Sequence, residues 1–212
     1  MKPLHACRLY AFVDTAYLHG RSPTDVARQL CDGGADLIQL RAKNSLMDEV
    51  SRMAEAILPI AQAAGVMFVV NDFPEIARRI GAPVCHLGQE DFFEAGYETA
   101  SQITGIPRQM MLGLSTHAPA QAERALRADP DYIAIGPIYA TGTKPTAKPV
   151  TLDYARWAVS RVSIPWFAIG GINLQTLDDV LATGATRVCV VSAILNSPDI
   201  AGTCQEFRKR LP

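Results

Sequence analysis

The chain has 212 residues, 49% hydrophobic and 19% charged, with a formal net charge of -1. It is too apolar for a disordered chain and too neutral for a general attraction to nucleic acid or anionic lipid, so any anion site must be a local cluster. The expected partners are therefore small molecules, with no nucleic acid and no membrane, and a homo-oligomer is compatible with the sequence.

The five cysteines (Cys7, Cys31, Cys85, Cys189 and Cys204) are scattered and form no Cys-x-x-Cys pair. This points to a reducing, cytoplasmic setting. Cys85 precedes His86, but neighbours on a strand face opposite ways, so Cys85 is read as core packing and not as a zinc ligand. Met1 to Val13 lacks an apolar core followed by a small-residue cleavage site, and no apolar run reaches spanning length, so neither secretion nor insertion is expected.

In chain order, the apolar run Leu9 to Val13 reads as a strand and Ser22-Pro23-Thr24-Asp25 as a capped helix start, with a stop near Gly33-Gly34. Leu37 to Ala42 is the second strand; Leu46, Val50, Met53 and Ile57 mark its helix, capped by Ser45 and stopped by Gly65. Met67 to Val70 precedes a helix through Pro74, Ile76 and Ile80, and Val84 to Leu87 precedes a weakly patterned helix near Tyr97 to Ile103. Met110 to Leu114 leads to Ala122, Ala125 and Leu126; Tyr132 to Ile135 leads through a long Thr/Lys/Pro-rich loop to Leu152, Ala155, Val159 and Val162. Trp166 to Ile169 leads to Leu174, Leu177 and Leu181, and Val188 to Ile194 to Ile200, Cys204, Phe207 and Leu211. Eight uniformly apolar strands, each followed by a helix, predict an α/β fold, a single (β/α)8 TIM barrel over residues 1–212 with its active site at the C-terminal strand ends.

Those strand ends are polar. Gln39, Arg41 and Lys43 share one face of the second strand, opposite Ile38, Leu40 and Ala42, and two adjacent cations call for an anion or an acidic partner. Asn71-Asp72 ends the third strand, where Asp72 could also cap a helix, and Gly88-Gln89-Glu90-Asp91 follows the fourth. Asp72 and Asp91 together suit one Mg²⁺, which takes one or two carboxylates and completes its shell with water and phosphate. Ser115 and His117 follow the fifth strand, Thr141, Thr143 and Lys144 lie in the long loop, and Gly170-Gly171 and Ser192 end the last two strands. The last pair matches the usual barrel phosphate site. Arg78-Arg79 reads as a solvated helix face, and Arg208-Lys209-Arg210 complements the negative end of the last helix.

Taken in order, Gln39-Leu40-Arg41-Ala42-Lys43, Asn71-Asp72, His86-Leu87-Gly88-Gln89-Glu90-Asp91, Gly113-Leu114-Ser115-Thr116-His117, Gly136-Pro137 with Thr141-Gly142-Thr143-Lys144, Ala168-Ile169-Gly170-Gly171-Ile172 and Val191-Ser192-Ala193-Ile194 resemble the signature of the thiamine phosphate synthase family. The chain departs from it at Gly81-Ala82-Pro83-Val84-Cys85, at Pro149-Val150-Thr151 and at Phe92-Phe93-Glu94-Ala95-Gly96. The resemblance implies a Mg²⁺-assisted transferase that joins hydroxymethylpyrimidine diphosphate to thiazole phosphate. It implies that Gln39, Arg41, Lys43, Asn71 and Lys144 contact the pyrimidine diphosphate. Asp72 and Asp91 would hold Mg²⁺, and Ser115 would bind released diphosphate. Thr141, Thr143, Gly171, Val191 and Ser192 would bind the thiazole phosphate. Arg41, Lys43, Lys144 and Ser115 are the expected catalytic groups, and His86 a supporting one. The alternatives are a thiazole tautomerase using His117 as proton shuttle, or a non-catalytic binder of phosphate ligands.

Overall fold

Strands that are apolar on both faces must be covered on both, and a sheet that curls until its edges meet satisfies this with one layer of helices outside. The structure, a computed structural model, describes residues 1–142 and 149–212. Its strands are β1 (Leu9–Asp14), β2 (Leu37–Arg41), β3 (Met67–Asn71), β4 (Val84–Gly88), β5 (Met111–Thr116), β6 (Tyr132–Ile135), β7 (Trp166–Ile169) and β8 (Val188–Cys189), which form a closed parallel barrel in chain order. Closure is made by Leu9 opposite Val188 and Tyr10 opposite Cys189. The helices are α1 (Pro23–Asp32), α2 (Met47–Ala63), α3 (Pro74–Ile80), α4 (Gln89–Glu94), α5 (Ser101–Thr104), α6 (Pro119–Arg127), α7 (Thr151–Arg161), α8 (Leu177–Ala182), α9 (Ser192–Leu195) and α10 (Ile200–Arg210). The expected TIM barrel is the observed fold.

Local signals hold where side chains could act alone. Ser22 accepts from the Asp25 amide at 3.1 Å, Pro23 opens α1, and Gly33 and Gly34 end it. They fail where packing intervenes. Ser45 does not cap α2: the Glu49 carboxylate accepts from the Leu46 amide at 3.0 Å instead. The helix expected near Tyr97 to Ile103 reduces to the four residues of α5, because the chain turns helical directly after β4, where Glu90 and Asp91 favour the α4 N-terminus and Gly96 at φ 82° ends the segment. Helix α7 buries Ala155 of the expected row, and Leu152 and the following Val162 pack partly against the core. It leaves Val159 exposed and buries Tyr154 and Ala158 instead, the Tyr154 hydroxyl meeting Thr116 at 2.7 Å and the Ala118 carbonyl at 3.0 Å. Strand β8 stops at Cys189, and the apolar run to Ile194 that looked extended ends in α9. The basic helix residues are tethers: Arg78 reaches the Ile103 carbonyl, Arg79 bonds Ser51, and Arg210 pairs with Asp178 at 2.5 Å.

Inside the barrel, Tyr10, Tyr132 and Phe167 pack edge to face with centroids 5.4–6.0 Å apart, and Tyr10 stacks on Phe12 at 5.1 Å. This aromatic plug fills the lower barrel and is the floor on which the polar strand ends stand. It requires a gap in the next strand, because a Cβ on Gly113 would lie 2.0 Å from the Tyr132 ring. All five cysteines are unpaired. Burial pushes the thiols of Cys7 and Cys31 up to about 11 and that of Cys204 to about 12, and it raises those of Cys85 and Cys189 as well. None is a thiolate at neutral pH.

This packing carries two expected outcomes. Gly113→Ala should destabilise the fold by about 1–3 kcal/mol through overpacking, read as a lower denaturant midpoint with unchanged slope. At the barrel base, burial raises the Asp36 carboxyl, but Lys2 at 2.5 Å and the Arg8 and Leu9 amides at 2.6 and 3.1 Å outweigh it and lower the pKa below 3.8. A lowered folded pKa contributes stability that is present above the unfolded value and lost as pH falls through the folded one. Asp36→Asn should therefore flatten the acid limb of the stability profile below about pH 4.

Candidate active site

The alternation of β2 decides the site's first wall. Ile38, Leu40 and Ala42 are buried under the helices, while Gln39, Arg41 and Lys43 border one cavity at the C-terminal mouth of the barrel. Asn71, Asp72, Asp91, Ser115, Thr141, Gly171, Val191 and Ser192 line the same cavity. The structure thus brings together every candidate residue it describes. Thr143 and Lys144 lie outside the described residues.

The two cations do not face each other unpaired. Arg41 Nη1 binds Asp14 Oδ2 at 2.8 Å, and Lys43 Nζ binds Asp72 Oδ2 at 2.5 Å. Asp14 is fully buried at the end of β1, opposite Arg41 in register, and also accepts from the Ala16 amide at 3.0 Å. The sequence reading missed it, although an acid closing the apolar run Leu9 to Val13 is the same signal that singled out the other strand ends. Each cation thus has a carboxylate beside it, and these charges can be re-shared with an incoming ligand.

Asp72 is not a helix cap. The position before α3 is Phe73, with no side-chain cap, and Asp72 itself takes φ 68°, a left-handed conformation that aims its carboxylate across to Lys43 and the cavity. Non-glycine residues in that region cost energy, and their persistence at a strand tip is a mark of functional placement. Asp91 lies in the first turn of α4, folded back over Gly88, where a Cβ would come within 2.6 Å of its Oδ2. Glycine at 88 lets the carboxylate lie against the backbone beside the cavity.

The opposite wall is made of backbone. Gly170 and Gly171 have φ 103° and 65°, and a Cβ on either would strike Pro137 at 2.3 Å or the Ala140 carbonyl at 2.7 Å. Only glycine lets β7 leave the barrel this close to the following loop. Ser192 is the first residue of α9, so its peptide belongs to the helix end whose amides lack intrahelical partners and attract anions. His117 is oriented through Nδ1–H to the Gly136 carbonyl at 2.5 Å, with Nε2 3.9 Å from Glu90 Oε2. His86 borders the cavity and meets the Tyr132 hydroxyl through Nδ1 at 3.0 Å.

Two hard oxygen donors on one cavity, with cations beside them and amides opposite, are suited to a divalent cation and phosphate groups. Among the described residues no three His, Cys, Asp or Glu side chains converge on a metal position, so a cation here would complete its shell from ligand and water. No helix among the described residues is long and apolar enough to cross a membrane.

Comparison with known proteins agrees with this geometry. Residues 9–194 match the family model for thiamine monophosphate synthase. A thiamine-phosphate synthase of Lawsonia intracellularis is 37% identical over 204 residues, covering 96% of this chain and 92% of that protein. One of Thermus thermophilus is 42% identical over 180 residues, 84% of each. Among solved structures, a thiamine phosphate pyrophosphorylase from Pyrococcus furiosus superposes with a TM-score of 0.83 at 26% identity, covering 96% of this chain and 94% of that one. A 3-hexulose-6-phosphate synthase, at 16% identity and a TM-score of 0.66, shares the fold alone. The chain belongs to the thiamine monophosphate synthase family.

Proposed function

We propose that this protein is a thiamine phosphate synthase: it condenses hydroxymethylpyrimidine diphosphate with thiazole phosphate, forming thiamine phosphate and releasing diphosphate. The observation that carries the reading is the convergence of Arg41, Lys43, Asp72 and Asp91 on one cavity whose far wall is Gly170, Gly171 and Ser192. One side is built for a diphosphate and a cation, the other for a single phosphate.

In this reading Arg41 and Lys43 bind the diphosphate oxygens, Asn71 and Gln39 hold the pyrimidine end, and Lys144 joins them by family correspondence. Asp72 and Asp91 would hold Mg²⁺, which would supply charge neutralisation on the leaving group. The carbon–oxygen bond to diphosphate breaks with its electron pair leaving on oxygen; the thiazole nitrogen lone pair then bonds to the exposed methylene carbon. No protein nucleophile is required, so the protein's part is leaving-group stabilisation and alignment. Ser115, opposite Gly88 in register and on the cavity border, would hold the departing diphosphate by family correspondence. Thr141, Thr143, Gly171, Val191 and Ser192 hold the thiazole phosphate at the other wall. Asp14 keeps the Arg41 guanidinium on the diphosphate side when no ligand is bound.

The test is incubation with both substrates. Diphosphate should appear only when both are present with Mg²⁺, and chelation should abolish it. Asp91→Ala and Lys144→Ala should each lower turnover by about 100-fold or more; unchanged turnover removes that residue from the mechanism. Thiazole isomerisation lost in His117→Gln, with no condensation in the parent, would assign the tautomerase reading instead. Asp14→Asn should cost about 1–3 kcal/mol of stability, since it leaves a largely buried guanidinium without its carboxylate, and a denaturant titration measures it.

A further inference from the structure

Beneath the cavity, side chains from four strands form a row of hydrogen bonds across the barrel. Gln39 Nε2 donates to the Tyr10 hydroxyl at 2.5 Å, Tyr10 and Tyr132 hydroxyls meet at 3.0 Å, and the Tyr132 hydroxyl meets His86 Nδ1 at 3.0 Å. Tyr10 and Tyr132 are fully buried, and Gln39 and His86 nearly so. Water therefore cannot replace a missing link without a cost.

The protons in this row can be counted. Three links need three hydrogens, and two tyrosine hydroxyls supply two. Burial pushes both phenols well above their usual range, so each hydroxyl keeps its single proton at any ordinary pH. Both ends could donate only by leaving one hydroxyl hydrogen without an acceptor, which is costly for side chains buried as completely as Tyr10 and Tyr132. With both hydroxyl hydrogens spent on links, the third comes from one end, either the Gln39 amide or His86 Nδ1–H. In the arrangement seen, Gln39 donates, so Tyr10 donates to Tyr132, Tyr132 donates to His86 Nδ1, and the ring proton of neutral His86 is on Nε2. If Gln39 turned its carbonyl to Tyr10, every link would reverse and His86 would have to carry its proton on Nδ1.

We propose that Tyr10 and Tyr132 are positioning residues: a one-way relay that locks the amide orientation of Gln39 to the ring tautomer of His86. Gln39, Tyr10 and His86 all border the cavity. With Gln39 Nε2 turned to Tyr10, the groups turned away from the row are the amide carbonyl, an acceptor, and His86 Nε2–H, a donor. The two ends switch only together, so the floor presents one donor and one acceptor in a fixed order. That selects a heteroaromatic ring with a complementary acceptor and donor on one edge, and resting on the proposed reaction, the ring is the pyrimidine. The aromatic plug below is the frame that holds both hydroxyls in line.

The experiment follows the His86 ring by long-range proton–nitrogen NMR on the whole unliganded chain. His86 should show a single tautomer with its proton on Nε2. Gln39→Glu, whose carboxylate beside Arg41 can only accept, should move that proton to Nδ1; adding Tyr10→Phe to the same chain should abolish the move. An unchanged His86 pattern in Gln39→Glu, or a move that survives Tyr10→Phe, overturns the relay. If Gln39→Glu does not fold, Tyr132→Phe keeps the buried volume and should shift the Nδ1 resonance to that of an unbonded ring nitrogen; an unshifted resonance overturns the proposal equally. In turnover, Tyr10→Phe should raise KM for the pyrimidine diphosphate about fivefold, the weight of one neutral hydrogen bond, and leave KM for the thiazole phosphate unchanged; equal changes in both overturn it. The NMR measurement needs no substrate, so a chain that switches tautomer but condenses nothing refutes the reaction and keeps the relay.

Discussion

Two residue pairs close the barrel, Leu9 with Val188 and Tyr10 with Cys189, and the rest of the molecule depends on that closure. An open sheet would carry its polar strand ends along a line. A closed one turns alternate side chains of every strand toward a common axis, so residues far apart in sequence meet within one cavity. The interior must then be filled, and the Tyr10, Tyr132 and Phe167 rings fill it, with Gly113 leaving the room that Tyr132 occupies. The floor of the cavity is thus the top of the core.

Charge is handled by the same geometry. Arg41 and Lys43 point the same way because β2 alternates, and neighbouring strand tips supply the carboxylates that neutralise them, Asp14 from β1 and Asp72 from the end of β3. For Arg41, whose side chain is largely buried, the lack of such a partner would be costly. The pairing explains how a basic wall persists without a ligand, and why Asp72 tolerates a left-handed backbone to reach Lys43. Facing it, Gly170 and Gly171 leave a surface of backbone where side chains would collide. One wall offers charge and the other amides, a division that matches two substrates with different phosphate groups.

Much of this was legible in the residues themselves. Uniformly apolar strands at regular spacing indicate a parallel barrel, because burial on both faces removes the polar half of the alternation. The period of two along Gln39-Leu40-Arg41-Ala42-Lys43 set which side chains share a face, and Gly170-Gly171 marked a close backbone approach. Ser22 before Pro23 capped a helix as written, since a cap needs only its own turn.

Other features belong to tertiary structure alone. Asp72 could equally have capped α3, and only the proximity of Lys43 across two strands decided otherwise. Asp14 became the partner of Arg41 through the register of β1 against β2, which no local pattern encodes. The run from Val188 to Ile194 reads as one strand, yet it pairs for two residues and then turns into α9. The row from Gln39 to His86 draws on four strands, each contributing a residue that looks ordinary in isolation. Local sequence determined which faces are apolar and where the backbone may bend, because those choices act over a few residues. Which charge meets which was decided by the register of neighbouring strands, and which hydroxyl meets which nitrogen by the closure that turned side chains of four strands toward one axis.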